Sequence, residues 1–397
     1  MRRLGGAANG RLVTGLVAAA AVACIVAAVM WQRPRDPAPH APHDPVAAAA
    51  RGATVAPARK LSSPVVLIGL DGADWQLIDP LIQEGRLPVL ASLKRRGAWG
   101  HLRSFEPILS PLLWTTAATG KRPDEHGIVD FLVADPTTGE RSPITSASRR
   151  VRALWNIFSE RGLSADVVAW WATWPAETIN GRMISDRVAY SLFQMNAGAA
   201  ARGGLTYPED LWDELRPMVV SDAAIGYERV ARFLDITRPE FDAARERARR
   251  DPETAYKEPI NHLTKILAST ETYHRAAVAM LEKGQPDLFA IYYQGIDEVC
   301  HRFMHFGPPR MEMASAQDYE RYKRAVSEFY VYQDELLGDL IGRVSPESTL
   351  LVMSDHGFKS GSSRPTDGPA DIEGKPGKWH RLYGVIMIAG AGIAPGR

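Results

Sequence analysis

Pro64-Val-Val-Leu-Ile-Gly-Leu70-Asp71-Gly72 is an apolar run of the kind that forms a strand buried on both faces, and it ends in an acid followed by a glycine. Leu288-Phe-Ala-Ile-Tyr-Tyr293 is a second such run, leading into Gly295-Ile-Asp297-Glu-Val-Cys-His301. Ser348-Thr-Leu-Leu-Val-Met353 is a third, followed by Ser354-Asp355-His356-Gly357. Open α/β sheets place their sites at the carboxyl ends of parallel strands, and here three strands each release a hard oxygen or imidazole ligand at that end. One such coincidence is common; three predict an α/β domain with a ligand-binding edge.

Between the first two runs lies Glu106-Pro-Ile-Leu-Ser-Pro-Leu-Leu-Trp-Thr-Thr-Ala-Ala-Thr-Gly-Lys-Arg-Pro-Asp-Glu-His-Gly127. Leu112 to Thr119 suits a packed helix closed by Gly120, with Ser110 at its start. A hydroxyl there faces unpaired backbone N–H groups that favour an incoming anion such as phosphate, which makes Ser110 a candidate nucleophile. The competing reading is that Ser110 is a helix N-cap.

Composition sets the bounds. With 397 residues, 45% hydrophobic and 23% charged, the chain is long enough for one large α/β domain with insertions. A net charge of +1 provides no dedicated nucleic-acid surface. Two cysteines cannot build a disulfide framework; Cys24 lies in an apolar segment and Cys300 between Asp297 and His301. That apolar segment, Leu12 to Met30, follows Arg2, Arg3 and Arg11 and is about the length needed to span a bilayer. Residues 1–31 are therefore expected to be an uncleaved membrane anchor with everything downstream exported, a cleaved signal peptide being the main rival and lipoprotein processing at Cys24 a weaker one. Residues 32–62 shift to Pro, Ala, Arg and Asp, a tether composition, and the folded domain is expected over 63–397.

Within that domain Gln76 to Gly97 has apolar residues at mostly helical spacing, and Asp74 and Trp75 read as a helix start. From about 135 to 285 the pattern changes: Val151 to Gly162 reads as an amphipathic helix, Ser164 to Trp171 as a strand, and Asp222 to Arg250 as charged helix with a solvated face. Trp170, Trp171 and Trp174 could stack on a base or sugar, although buried packing is the simpler use. His126 suits a loop-bracing hydrogen bond, and His305 a surface position or one behind the ligands.

These motifs resemble the alkaline phosphatase superfamily, in particular its type I phosphodiesterase and nucleotide pyrophosphatase branch as found in bacterial extracytoplasmic proteins. The resemblance covers roughly residues 64–131 and 287–392 and rests on Asp71, Ser110, Thr119-Gly120, Pro123-Asp-Glu-His-Gly127, Asp297 with His301 four residues on, Asp355-His356-Gly357 and the late His380. It implies an alkaline-phosphatase-like sandwich, a central mostly parallel sheet flanked by helices, with a cap inserted at about 135–285 that sets substrate choice. By position, Asp71, Ser110, Asp355 and His356 would hold one divalent ion, and Asp297, His301 and His380 a second; zinc is usual in the family, manganese or another ion less so. The activity implied is hydrolysis of a phosphorylated small molecule, lipid or nucleotide through a phosphoseryl intermediate on Ser110. A transferase of phospho-headgroups to an envelope acceptor and a non-catalytic binding domain are the alternatives.

Two departures qualify the resemblance. Nucleotide pyrophosphatases carry an Asn three residues after the nucleophile, where this chain has Leu113, so phosphate must be held by other groups. Relatives also continue with a further helix beyond the point where Ile393-Ala-Pro-Gly-Arg397 stops, as in a truncated sequence. Sulfatase chemistry is disfavoured, because Ser110-Pro-Leu-Leu-Trp114 lacks the formylglycine pattern.

The arginine distribution yields a test of orientation. A reporter fused after Lys60 is expected to be active only in an extracytoplasmic assay. Cytoplasmic activity would defeat the orientation, whereas a soluble product beginning near residue 30 would defeat the anchor alone.

Overall fold

The computed structural model describes residues 60–134, 137–189, 203–251, 257–369 and 376–396. The expected anchor and tether, residues 1–31 and 32–62, lie outside the described residues except for the last few of the tether. Among the described residues no helix is long and apolar enough to cross a membrane.

Eight strands make the central sheet: β1 (Val65–Leu70), β2 (Ala98–Arg103), β3 (Ala165–Val168), β4 (Gly181–Ile184), β5 (Thr206–Tyr207), β6 (Leu288–Tyr293), β7 (Thr349–Met353) and β8 (Tyr383–Ala389). Their order across the sheet is β2-β8-β7-β1-β6-β3-β4-β5. The middle strands β7, β1, β6, β3 and β4 run parallel to one another, while β2, β8 and β5 join antiparallel at the two edges. The three apolar runs that end in acids are thus neighbours, β7-β1-β6, at the centre. The continuous apolar character of β1 and β6 has a direct cause: every residue of β6 and all but the first of β1 are buried. The architecture is the α/β sandwich expected, with a mostly parallel sheet flanked by helices.

The helices that matter for the site follow from local signals. The helical spacing over Gln76–Gly97 proves to be two helices, α1 (Trp75–Gln83) and α2 (Pro88–Arg96). The break falls where Gly85 takes φ +74° and Pro88, lacking an N–H, opens the next helix. α3 (Ser110–Thr119) ends on Gly120 in the left-handed conformation, φ 63°. The helix read over Val151–Gly162 is the shorter α4 (Leu154–Glu160), and the charged stretch contains α5 (Arg238–Arg250). α6 (Pro259–Glu282), α7 (Gly295–Phe303) and α8 (Ala325–Ile341) pack on one another, and α6 also packs on β3 and β6. Strands β3, β4 and β5 fall within the stretch of about 135–285 expected as the cap, so part of that stretch belongs to the central sheet.

One close approach positions the site from below. Gly69 of β1 lies under the ring of Trp114 from α3, and a Cβ built there would sit 2.7 Å from the indole carbons Cη2 and Cζ3. Trp114 is fully buried, so the ring has nowhere to retreat. Gly69→Ala is accordingly expected to destabilise the fold by about 1–3 kcal/mol. Urea denaturation measures this, and an unchanged midpoint would show that α3 shifts freely.

Candidate metal centre

Because β7, β1 and β6 are adjacent and parallel, their carboxyl ends converge. β1 delivers Asp71 directly, with its N–H bonded to the Tyr293 carbonyl at 3.0 Å. β7 delivers Asp355 and His356. β6 turns through Gln294 into α7, whose first turns carry Asp297 and His301 at i and i+4, on one face. His380 arrives separately: Gly357–Phe358 and His380–Arg381 form a short antiparallel pair in which Phe358 faces His380. That pairing stacks the rings of His356 and His380 at 3.9 Å and 19°.

The structure brings all of the candidate ligands together. Asp297 Oδ1 is the common point, 3.4 Å from His301 Nε2, 3.7 Å from His380 Nε2 and 3.9 Å from His356 Nε2. Asp71 Oδ1 lies 3.3 Å from His356 Nε2 and 3.5 Å from Ser110 Oγ, and Asp355 Oδ2 lies 3.7 Å from His356 Nε2. Donor atoms of Asp297, His301 and His380 form one group and those of Asp71, Asp297 and His356 another, each within 4.8 Å. Ligand atoms about 2.0–2.1 Å from a tetrahedral ion stand about 3.3 Å from each other, so these spacings fit such ions.

The electrostatics fit as well. Burial pushes Asp297 and Asp355 well above the ordinary carboxylate range, and the charge of Asp71 pushes both further. Burial also holds His356 and His380 below the usual imidazole value, hence neutral. Nδ1 of His356 faces the Gly357 carbonyl at 3.1 Å and Nδ1 of His380 faces the Ile108 carbonyl at 3.4 Å. A carbonyl can only accept, so these bonds put the proton on Nδ1 and leave a lone pair on Nε2, toward the cluster. Among the described residues Asp297 Oδ1, Asp355 Oδ2 and His356 Nε2 are buried without a hydrogen-bond partner, as atoms reserved for cations would be.

Ser110 occupies the first turn of α3, while Leu109 is the N-cap and no side chain caps the helix. Its hydroxyl points toward Asp71 rather than to a backbone N–H, so Ser110 is not the helix cap. Leu113 packs in a small apolar cluster with Ile108 and Leu112, so the place of the family's Asn holds no polar group. His126 bridges Thr116 Oγ1 (3.0 Å) and the Ile128 N–H (3.2 Å), a loop brace. His305 is buried against Phe306 and takes no part in either donor group; burial lowers it to about 4. Trp170 and Trp171 are packed inside, so neither offers an open face for a base.

Asp74 carries more than its sequence reading. It caps α1 by accepting from Gln76 N (2.8 Å), as a helix start should, but its carboxylate also accepts from Phe358 N (3.0 Å) and pairs with Arg381 Nη1 at 2.6 and 2.7 Å. One buried carboxylate thereby ties the β1 end to both strands of the pair that presents His356 and His380. Nothing local in the sequence announces this, because the partners lie 284 and 307 residues away.

An α/β protein with a buried carboxylate–imidazole cluster at the carboxyl ends of its parallel strands is the class this site defines. A family model, type I phosphodiesterase / nucleotide pyrophosphatase, matches residues 65–389, and the chain belongs to that family. Among solved structures it is similar to phosphonoacetate hydrolase from Sinorhizobium meliloti 1021, in complex with phosphonoformate (19% identity, TM-score 0.44) and with phosphonoacetate (20%, 0.42); each alignment covers 75% of this chain and 57% of that one. It is also similar to murine ectonucleotide pyrophosphatase / phosphodiesterase 5 (15% identity, TM-score 0.41), over 75% of this chain and 58% of that one. The chain thus spans less than two thirds of the length of these structures. No curated protein matches the sequence.

Removing Asp74 leaves Arg381 and the Phe358 N–H without their shared partner. Asp74→Ala is expected to cost about 3–5 kcal/mol, and Asp74→Asn, which can still cap α1, distinctly less. Chemical denaturation of both variants decides it: equal losses would mean that the cap contributes nothing and the carboxylate's bonds to Arg381 and the Phe358 N–H carry the whole effect.

Proposed function

We propose that the protein is a divalent-metal-dependent hydrolase of phosphate esters, of phosphodiesterase or pyrophosphatase type, acting through a phosphoseryl intermediate on Ser110. The observation that carries this reading is the placement of Ser110 Oγ, 3.5 Å from Asp71 Oδ1, at the edge of the buried carboxylates of Asp71 and Asp355, the half-buried carboxylate of Asp297 and three imidazoles. Family membership supports the class of bond broken.

Asp71, Ser110, Asp355 and His356 would hold one divalent ion and Asp297, His301 and His380 the other, zinc suiting this donor set, and such a pair supplies positive charge that stabilises an alkoxide and phosphoryl oxygens. The chain does the rest. α3 holds Ser110 Oγ at a helix start whose N–H groups no side chain caps, so the hydroxyl and the dipole face the same phosphoryl group. Ser110 Oγ attacks phosphorus, its P–O bond forms as the ester P–O bond breaks, and the alcohol or phosphate leaves with a proton. Water then attacks the phosphoseryl group and returns Ser110 with its hydroxyl. Asp71 Oδ1, 3.5 Å away, is placed to orient that hydroxyl.

The Arg2, Arg3 and Arg11 distribution supports an extracytoplasmic domain tethered through Leu12–Met30, with a phosphorylated small molecule, lipid or nucleotide as substrate.

Ser110→Ala is the decisive variant. Since Ser110 is not the cap, the variant is expected to fold with little loss of stability and to retain its metal on the remaining ligands, while turnover of nitrophenyl phosphodiesters falls on the order of 10³-fold or more. Acid quenching of the wild-type protein with labelled substrate should leave phosphate on the peptide containing Ser110. Substantial turnover by folded, metal-loaded Ser110→Ala would rule out the covalent route.

A further inference from the structure

Among the described residues, Ala169 and Ala172 are the two that adopt positive φ without being glycine, at 60° and 56°. L residues rarely take this conformation, and two such positions in one short turn need a cause. The turn lies directly after β3 and carries Trp170 and Trp171 between the two alanines. It is held from several sides: Ala169 N donates to the Ile184 carbonyl (2.9 Å), Ala172 N to Asp186 Oδ2 (2.9 Å), and Thr173 Oγ1 to the Trp170 carbonyl (2.6 Å). What the turn achieves is the aim of two indoles. Trp170 Nε1 donates to the Trp114 carbonyl (3.1 Å), and Trp171 Nε1 donates to Tyr292 Oη (2.9 Å).

Tyr292 leads to the metal centre. In the sheet register it faces Gly69, two residues before Asp71, so its side chain emerges on the same face as Asp71. Tyr292 Oη donates to Asp71 Oδ2 at 2.5 Å, and Trp114 Nε1, whose ring lies over Gly69, donates to the same oxygen at 3.1 Å. The direction of this chain of bonds is forced. An indole N–H can only donate and a carboxylate only accept, so the Tyr292 hydroxyl takes its bond from Trp171 and gives its proton to Asp71. With two donors on Oδ2, the free oxygen of Asp71 is Oδ1, the one beside His356 and Ser110.

We propose that Tyr292 is a positioning residue, set by Trp171 and assisted by Trp114, that commits Asp71 to hold its cation through Oδ1 alone. The role of the strained Ala169–Ala172 turn is to deliver Trp171 to that hydroxyl. This rests on the reading of Asp71 as a metal ligand. Residues that orient a ligating carboxylate are typically worth about 10–100-fold in metal affinity, and Tyr292→Phe removes the hydroxyl while keeping the ring.

The test is metal affinity rather than turnover. Full-length protein stripped of metal is titrated with Zn²⁺ against a chromophoric chelator, comparing wild type, Tyr292→Phe, Trp171→Phe, the double variant and Asp71→Ala. Tyr292→Phe is expected to weaken one of two sites about 10–100-fold and leave the other unchanged. Trp171→Phe should weaken the same site less, and the double variant should be no weaker than Tyr292→Phe, because Trp171 acts only through the Tyr292 hydroxyl. Additive losses, or Tyr292→Phe binding as tightly as wild type, would overturn the proposal. If Tyr292→Phe fails to fold, Co²⁺ in Trp171→Phe supplies the readout: a second Asp71 oxygen at the ion raises the coordination number and weakens the visible absorption, and an unaltered spectrum with unaltered affinity overturns the proposal. Asp71→Ala separates the two readings. Loss of the site in Asp71→Ala with none in Tyr292→Phe refutes only the positioning role, whereas retention of the site in Asp71→Ala refutes the ligand assignment itself.

Discussion

Three carboxylates, those of Asp71, Asp297 and Asp355, share one buried space, and like charges held there repel far more strongly than they would in water. The adjacency of β7, β1 and β6 creates this repulsion, since each strand ends in an acid at the same edge. Three imidazoles face the same space, His356 and His380 held neutral by burial and Nε2 of His301 standing 2.9 Å from Nε2 of His380, so the chain concentrates ligand atoms without supplying the positive charge that would balance the carboxylates. Lysine or arginine is not among the groups that pair with Asp297 or Asp355 within the described residues; Arg381, next to His380 in sequence, is turned onto Asp74. The proposed cation-binding role rests on that imbalance more than on any single residue.

Holding such a cluster in one geometry requires rigidity from neighbours that do not touch a substrate. Asp74 joins the end of β1 to the Phe358–His380 pair, and a Cβ on Gly357 would lie 2.2 Å from its Oδ2, so the loops are as close as backbone allows. On the other side Gly69 admits the Trp114 ring, and the ring admits its N–H to Asp71. The strained turn after β3 extends this support a further layer, through Trp171 and Tyr292. Local strain of this kind persists only where surrounding bonds over-determine it, and the bonds from Ile184, Asp186 and Thr173 do so here.

Leu113 and its apolar neighbours stand where the family resemblance places a polar side chain, so on the proposed reading the task of holding phosphate falls to the start of α3 and the cations. Trp170 and Trp171, attractive as a stacking surface in the sequence, are spent inside the protein. Family membership and a substrate pocket are therefore separate questions, because the ligand set is carried by strand ends while selectivity depends on how the intervening segments pack.

Much of this was legible in one dimension. Apolar runs long enough for buried strands, each ending in Asp or Asp-His, announce a parallel sheet with a site at one edge, and the i, i+4 spacing of Asp297 and His301 puts both on one face of a helix. Those features are local, so short-range physics suffices to read them. Other features are decided by partners 39 to 307 residues apart: the turning of Ser110 away from a cap and toward Asp71, the attachment of Asp74 to Phe358 and Arg381, and the clamp of Tyr292 and Trp114 on Asp71 Oδ2. Sheet register and close packing place these groups, and register is a property of strands brought together by the whole fold, so no single stretch of sequence contains it.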